Sequence, residues 1–80
     1  MRRREAGSYE REVIAPYFDE TFYTAAYPQV QDSTMRPIDH FLLEGWRAGL
    51  NPSRGFDVAF YLNRHGDVAA AGMNPLLHYA

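Results

Sequence analysis

The strongest constraint on this chain is that it repeats itself. Phe18-Asp19 returns as Phe56-Asp57, Phe22-Tyr23 as Phe60-Tyr61, Val30 as Val68, Met35 as Met73, Pro37 as Pro75 and His40 as His78. All recur at an offset of 38 residues, without a gap. The pairs Ile38/Leu76 and Phe41/Tyr79 keep their character in the same register. A fixed period of this size marks stacked supersecondary units, each too small to bury its apolar face without its neighbour. The chain therefore divides into an N-terminal tail and capping helix at 1–17, a first unit at 18–55 and a second, incomplete unit at 56–80. A full second copy would run to position 93, 13 residues past Ala80. The expectation is an all-α fold of about six short helices, with the face those residues would cover left open. Leu76, Leu77 and Tyr79 are the candidate apolar interface there, since an uncovered apolar patch marks a contact surface. Self-association through that face is expected.

Local signals set the helices. Each unit opens on an aromatic followed by Asp, which reads as a helix N-cap. The aromatic ahead of it is placed to staple against the Tyr four residues beyond the Asp: Phe18, Asp19 and Tyr23, then Phe56, Asp57 and Tyr61. Pro28 and Gly66 break these first helices, and a second short element is expected after each. In the second unit this element is a helix over 67–71 stopped by Gly72, whereas Asp32-Ser33-Thr34 is a poorer helix former. Pro37 and Pro75 then occupy the first turn of a third helix, where a missing N–H is harmless. Asn74 is a good cap for that helix and Arg36 is not. The first unit's third helix is expected from Pro37 to Glu44, with Ile38, Phe41 and Leu42 on one face and Gly45 as its end. Trp46 begins one more turn and is expected to plug the seam between units, and residues 51–55 make the loop. Upstream, Ser8 is the expected cap of a helix from Tyr9 to Ala15, with Tyr9, Val13 and Tyr17 as its apolar stripe and Pro16 as its stop. Residues 1–7 are expected to fray.

Composition narrows the function classes. With 80 residues the chain makes one small domain, and 46% hydrophobic residues suffice for a core. A formal charge of −2 argues against a nucleic-acid binder that relies on bulk charge. With no cysteine in the sequence, disulfides, thiolate metal sites and cysteine nucleophiles are excluded. No apolar run approaches the roughly 20 residues of a membrane span. Arg2-Arg3-Arg4 is followed by Glu5-Ala6-Gly7-Ser8 where a signal peptide would turn apolar, so a cytoplasmic start is expected.

The groups that could do chemistry are better explained as architecture. His40 and His78 recur in Pro-x-x-His-aromatic, and a residue repeated in every unit usually serves the unit. Each is expected to pack at a helix start and to bond nearby backbone or the capping Asp, rather than to hold metal. His65 occupies the register position of Tyr27 and is expected on a surface loop. Asp19 and Asp57 are accounted for as caps. No nucleophile elbow surrounds the serines and threonines, and no phosphate-binding glycine loop is present. No catalytic, cofactor-binding or metal-binding residue is expected. The aromatic residues could line a sugar-binding face, but their helical spacing favours packing.

The stretch Phe56 to Tyr79, with its Phe-Asp-x-x-Phe-Tyr-Leu opening, Asp67-Val68-Ala69 and Ala71-Gly72-Met73-Asn74-Pro75-Leu76, resembles a bacterial repeat. That repeat is found beside glycosyltransferase domains of surface-polysaccharide proteins, and also in some large secreted calcium-binding proteins. Gly45-Trp46-Arg47-Ala48-Gly49 is similar to the repeat's Gly-Trp-Arg-Glu-Gly, with Ala48 in place of the acid. Tyr27-Pro28-Gln29-Val30 departs from its Asn-Pro-Asp-Val form. The likeness covers residues 18–80. It implies a non-catalytic helical-repeat module that accompanies a glycosyltransferase and docks to a protein partner, a following catalytic domain or a glycan. The alternative is a free-standing small interaction or structural protein.

Overall fold

The structure, a computed structural model, describes residues 5–80. Six α-helices follow one another: α1 Ser8–Ile14, α2 Glu20–Ala26, α3 Pro37–Leu43, α4 Val58–Arg64, α5 Gly66–Ala70 and α6 Pro75–Tyr79. Short 3₁₀ turns lie at Ala15–Tyr17, Pro28–Val30 and Gly45–Ala48. No strand is present among the described residues, where the only β-type pairing is one isolated bridge between Ser53 and Phe56. The fold is all-α.

The two capping aspartates take matching roles. Asp19 accepts a hydrogen bond from Phe22 N at 2.9 Å, and Asp57 accepts one from Phe60 N at 2.9 Å. Both have extended backbones, with φ of −105° and −102°. Each satisfies one of the orphan donors that a helix start leaves open. The staples form too: Phe18 to Tyr23 and Phe56 to Tyr61 both bring ring centroids to 5.2 Å. Phe18 and Phe56 are only half-buried by this contact. At the other end of these helices, Tyr27 and His65 leave helical geometry with φ of −127° and −126°.

The next segments diverge. In the first unit Pro28 opens a single 3₁₀ turn, followed by bends through Asp32, Ser33 and Thr34. In the second, α5 is a true helix, and Gly72 closes it at φ 66°, a conformation that an L side chain disfavours. Gly66 does not break the chain; it opens α5, and the break is the single residue His65. Val30 and Val68 end up in the same condition, both buried. Pro37 and Pro75 occupy the first turns of α3 and α6. Asn74 caps α6 by accepting from Leu76 N at 2.9 Å, while Arg36 supplies no side-chain cap to α3.

The N-terminal helix differs most from its sequence reading. Its N-cap is Gly7, and Ser8 lies inside the helix without a capping bond. Tyr9 is 76% exposed and Tyr17 44%, so the stripe read from the sequence is not the buried face. Ile14, fully buried, carries the packing against α3 and α6. Spacing alone could not choose between these faces, because a seven-residue helix holds too few turns to define a periodicity. Polar contacts fix the docking. Arg11 Nη1 lies 3.2 Å from Asp39 Oδ1 on α3 and also donates to Ala6 O at 2.8 Å. Ala6 N donates to the same carboxylate at 3.3 Å. Ala6 is thus tied down and packed on the core instead of fraying. The expected tail of Arg2, Arg3 and Arg4 lies outside the described residues.

One continuous core runs through both units. Ile14, Tyr23, Val30, Phe41, Leu42 and Trp46 join Val58 of α4 and Leu76 of α6 in a single cluster. Full burial of such side chains stabilises by roughly 1.5–3 kcal/mol each. The loop between units is pinned at three points. Asp19 N donates to Pro52 O at 2.9 Å, Asn51 N donates to Tyr27 Oη at 2.9 Å, and Val58 N donates to Asn51 Oδ1 at 2.8 Å. No helix among the described residues is long and apolar enough to cross a membrane.

Candidate functional site

His40 and His78 are bonded, but to a partner the sequence did not reveal. His40 Nδ1 shares a hydrogen bond of 2.7 Å with Tyr23 Oη, and His78 Nδ1 one of 2.6 Å with Tyr61 Oη. The bonds link the first helix of each unit to its last, α2 to α3 and α4 to α6. Neither backbone nor the capping Asp is the partner, because the stapled Tyr already points across the unit when its ring packs on Phe18 or Phe56. The expectation that each histidine serves its own unit fits this geometry, with the bonding group corrected.

The two pairs have different surroundings. Tyr23 is fully buried and His40 nearly so, at 8% exposure. Gly45 and Trp46 close over them, and a methyl placed on Gly45 would collide with the Tyr23 phenol oxygen. Only glycine lets the backbone pass there. Burial pushes the Tyr23 phenol well above the ordinary tyrosine range, with Tyr27 and Glu44 adding to the rise. A phenol held neutral in this way is a poor nucleophile and a poor general base. His40 Nε2 lies 3.7 Å from Glu44 Oε2, an ion pair when the imidazole is protonated. Around the second pair, Tyr61 is half-buried and His78 exposed. His65, expected on a bare loop, stacks on Tyr61 with centroids 4.1 Å apart and lies 5.9 Å from His78. Three rings thus form one open aromatic face.

The candidate interface residues separate. Leu76 is fully buried in the common core, because α6 packs against α1 as well as α4. It cannot belong to an open face. Leu77 is half-buried, and Tyr79 is 56% exposed. Trp46, 8% exposed, occupies the core cluster beside residues of both units, as a seam residue should.

Tyr79 instead forms part of a groove of about 270 Å³ between the start of each unit, walled by Tyr17, Phe18, Phe56 and Tyr79 with Asp19 and Ser53 among its lining. Tyr79 meets Tyr17 edge-on at 5.6 Å and 85°, and Phe56 at 5.3 Å and 68°. In the first unit the equivalent of Tyr79 is Phe41, fully buried and 6.0 Å from Phe18. The extra hydroxyl of Tyr79 therefore marks the one of the two positions that faces water.

Asp39 and Asn51 were missed by sequence reasoning. Asp39 is fully buried with Arg11 as its counter-charge, yet its neighbours in the sequence show no ligand or capping spacing. Its one signal was position: the helix register puts it beside His40 and Phe41, two residues whose pattern points to packing. Asn51 closes the junction of the units from within a loop, where no periodicity exists to single it out. Among the described residues, no group of three His, Asp or Glu is arranged to hold a metal ion. Comparison with known proteins finds no matching family model, no matching curated protein and no matching solved structure.

Proposed function

We propose that this chain is a non-catalytic helical-repeat module of bacterial cell-surface polysaccharide biosynthesis, acting in the cytoplasm beside a glycosyltransferase and docking it to a protein partner or glycan. The observation that carries the association is the resemblance of residues 18–80 to repeats found next to such enzymes. The geometry supports the non-catalytic part. Asp19 and Asp57 are engaged as caps, and His40 and His78 are engaged with Tyr23 and Tyr61. The repeated polar residues thus hold their own units together. Nucleic acid is not the partner, given the charge of −2.

One observation favours the second reading, a free-standing interaction protein. Leu76 is covered by α1, so the N-terminal helix closes part of the second unit from within these 80 residues. Two experiments separate the readings. A glycosyltransferase domain encoded directly downstream of codon 80 supports the module, and a stop codon there supports the free-standing protein. An assay of the 80-residue protein with nucleotide-sugar donors is expected to give no turnover. Measurable transfer or hydrolysis would overturn both.

A further inference from the structure

We infer that the groove between Tyr17, Phe56 and Tyr79 receives a single arginine side chain of a protein partner, with Asp19 as its counter-charge. The inference rests on the docking reading above and names the chemistry of the partner. Size is the first argument. At about 270 Å³ the groove is smaller than the roughly 300–1,000 Å³ of pockets that enclose a whole small molecule, so it suits one side chain. Ring geometry is the second. The rings meet at 85° and 68°, as walls rather than as one flat platform on which a sugar would lie. A planar guanidinium can lie on the face of one ring while its edge meets another, and it sheds water more readily than an ammonium.

Charge is the third argument. The lining contains the Asp19 carboxylate and no basic residue. Asp19 spends Oδ1 on Phe22 N, and among the described residues no cation is paired with it. The molecule's own habits are the fourth. Trp46 carries Arg47 at 4.7 Å, Phe22 carries Arg54 at 5.5 Å, and Phe60 carries Arg64 at 5.7 Å. Among the described residues no arginine lies over Tyr17, Phe56 or Tyr79, although Tyr17 and Tyr79 are among the most exposed rings of the fold.

The test is an NMR titration of the 80-residue protein with the blocked tripeptide Gly-Arg-Gly, alongside the same peptide carrying citrulline, which keeps the shape and loses the charge. The arginine peptide is expected to shift the ring resonances of Tyr17, Phe56 and Tyr79, and to bind about tenfold more tightly than its citrulline counterpart. Asp19→Asn keeps a good cap, so the fold is retained, and is expected to weaken arginine binding about threefold. Tyr79→Ala, at an exposed site near the end of α6, should weaken it about tenfold. Equal binding of the two peptides, shifts confined to other surfaces, or affinity unchanged in both variants would overturn the inference. Perturbation of the same rings by methyl glucoside, without any by the arginine peptide, would also overturn it and assign the groove to glycan. Those failures leave the module reading standing, because that reading is decided by the downstream sequence and the turnover assay.

Discussion

The first unit and the second build the same Tyr–His bond and then treat it in opposite ways. Tyr23 and His40 are enclosed by Gly45, Trp46 and the fully buried Phe41, whereas Tyr61 and His78 keep an open flank beside His65 and Tyr79. Burial in the second unit falls on a different face. Val58 and Leu76 are fully buried there, while their first-unit equivalents are the exposed Glu20 and the half-buried Ile38. The repeat signature therefore specifies the internal wiring of a unit, and neighbours specify which side is covered. A position can keep its residue type, its hydrogen bond and its helix register while passing from core to surface. The same substitution at equivalent positions should then have unequal effects wherever packing dominates, and equal effects wherever the local cap dominates.

The largest asymmetry should come from the turn that closes the first unit. Trp46→Ala is expected to destabilise by about 3–5 kcal/mol, through lost transfer energy and the cavity left in the shared core. For a chain of 80 residues that approaches the whole of an ordinary folding free energy. Chemical denaturation should show either a much lower midpoint or no cooperative transition. A change below about 1 kcal/mol would mean that Trp46 is not what joins Val58 and Leu76 to the first unit.

The Tyr–His bonds give the direct comparison. Tyr23→Phe leaves His40 Nδ1 buried without its partner, which should cost about 1–3 kcal/mol. Tyr61→Phe leaves an exposed His78 that water can satisfy, and should stay within about 0.5 kcal/mol. Thermal melts of the two variants decide it: near 80 residues, each kcal/mol moves the midpoint by roughly 4–8 °C. Equal shifts would erase the distinction drawn between the units. The alkaline limb sharpens it further. Because folding raises the Tyr23 phenol above its ordinary value of 10.0, the native state resists its ionisation. That stabilisation is complete below pH 10 and is lost progressively as pH climbs above it, toward the folded value. Midpoints recorded from pH 8 to 11.5 should fall more steeply for the native sequence than for Tyr23→Phe. Parallel curves would show that Tyr23 is not sealed from solvent.

How much of this could be seen in the sequence depends on the range of the interaction. The caps at Asp19, Asp57 and Asn74, the prolines at Pro37 and Pro75, and the stop at Gly72 are set by residues within one turn. All were legible for that reason. Trp46 was legible as a packed residue because a large apolar ring after a helix-ending glycine has few other uses. The partner of each histidine was not, since the bond spans 17 residues and depends on how α2 crosses α3. Helix α1 defeats sequence reading for a related reason. Tyr9, Val13 and Tyr17 make a plausible stripe, but the choice of face belongs to Arg11 pairing with Asp39, 28 positions away. Of the groove, the sequence singles out Tyr79 alone as a candidate for contact, and groups it with Leu76, which the closure of α1 on α6 places inside. Residue type predicts burial poorly when a repeat has unlike neighbours on its two sides.

The smallest effect expected is also the one that should be symmetric. Asp19→Ala and Asp57→Ala each remove one side-chain acceptor, 2.9 Å from the third backbone N–H of a seven-residue helix. Both aspartates are exposed, and their backbone angles agree within a few degrees, so burial cannot separate them. The loss should be about 1 kcal/mol in each case, with Asn at either position recovering most of it because its amide oxygen can accept the same bond. Their neighbourhoods do differ: Asp19 lines the aromatic groove, and its N–H donates to Pro52 O across the loop. Neither feature enters the cap itself, since the Pro52 contact uses the main chain and survives the substitution. Denaturant midpoints for the two alanine variants should therefore agree within about 0.5 kcal/mol, the scale on which distant surface changes vary. A markedly larger loss at Asp19 would mean that its carboxylate also holds the groove or the loop in place. The equivalence of the two unit starts would then extend only to their hydrogen-bond geometry.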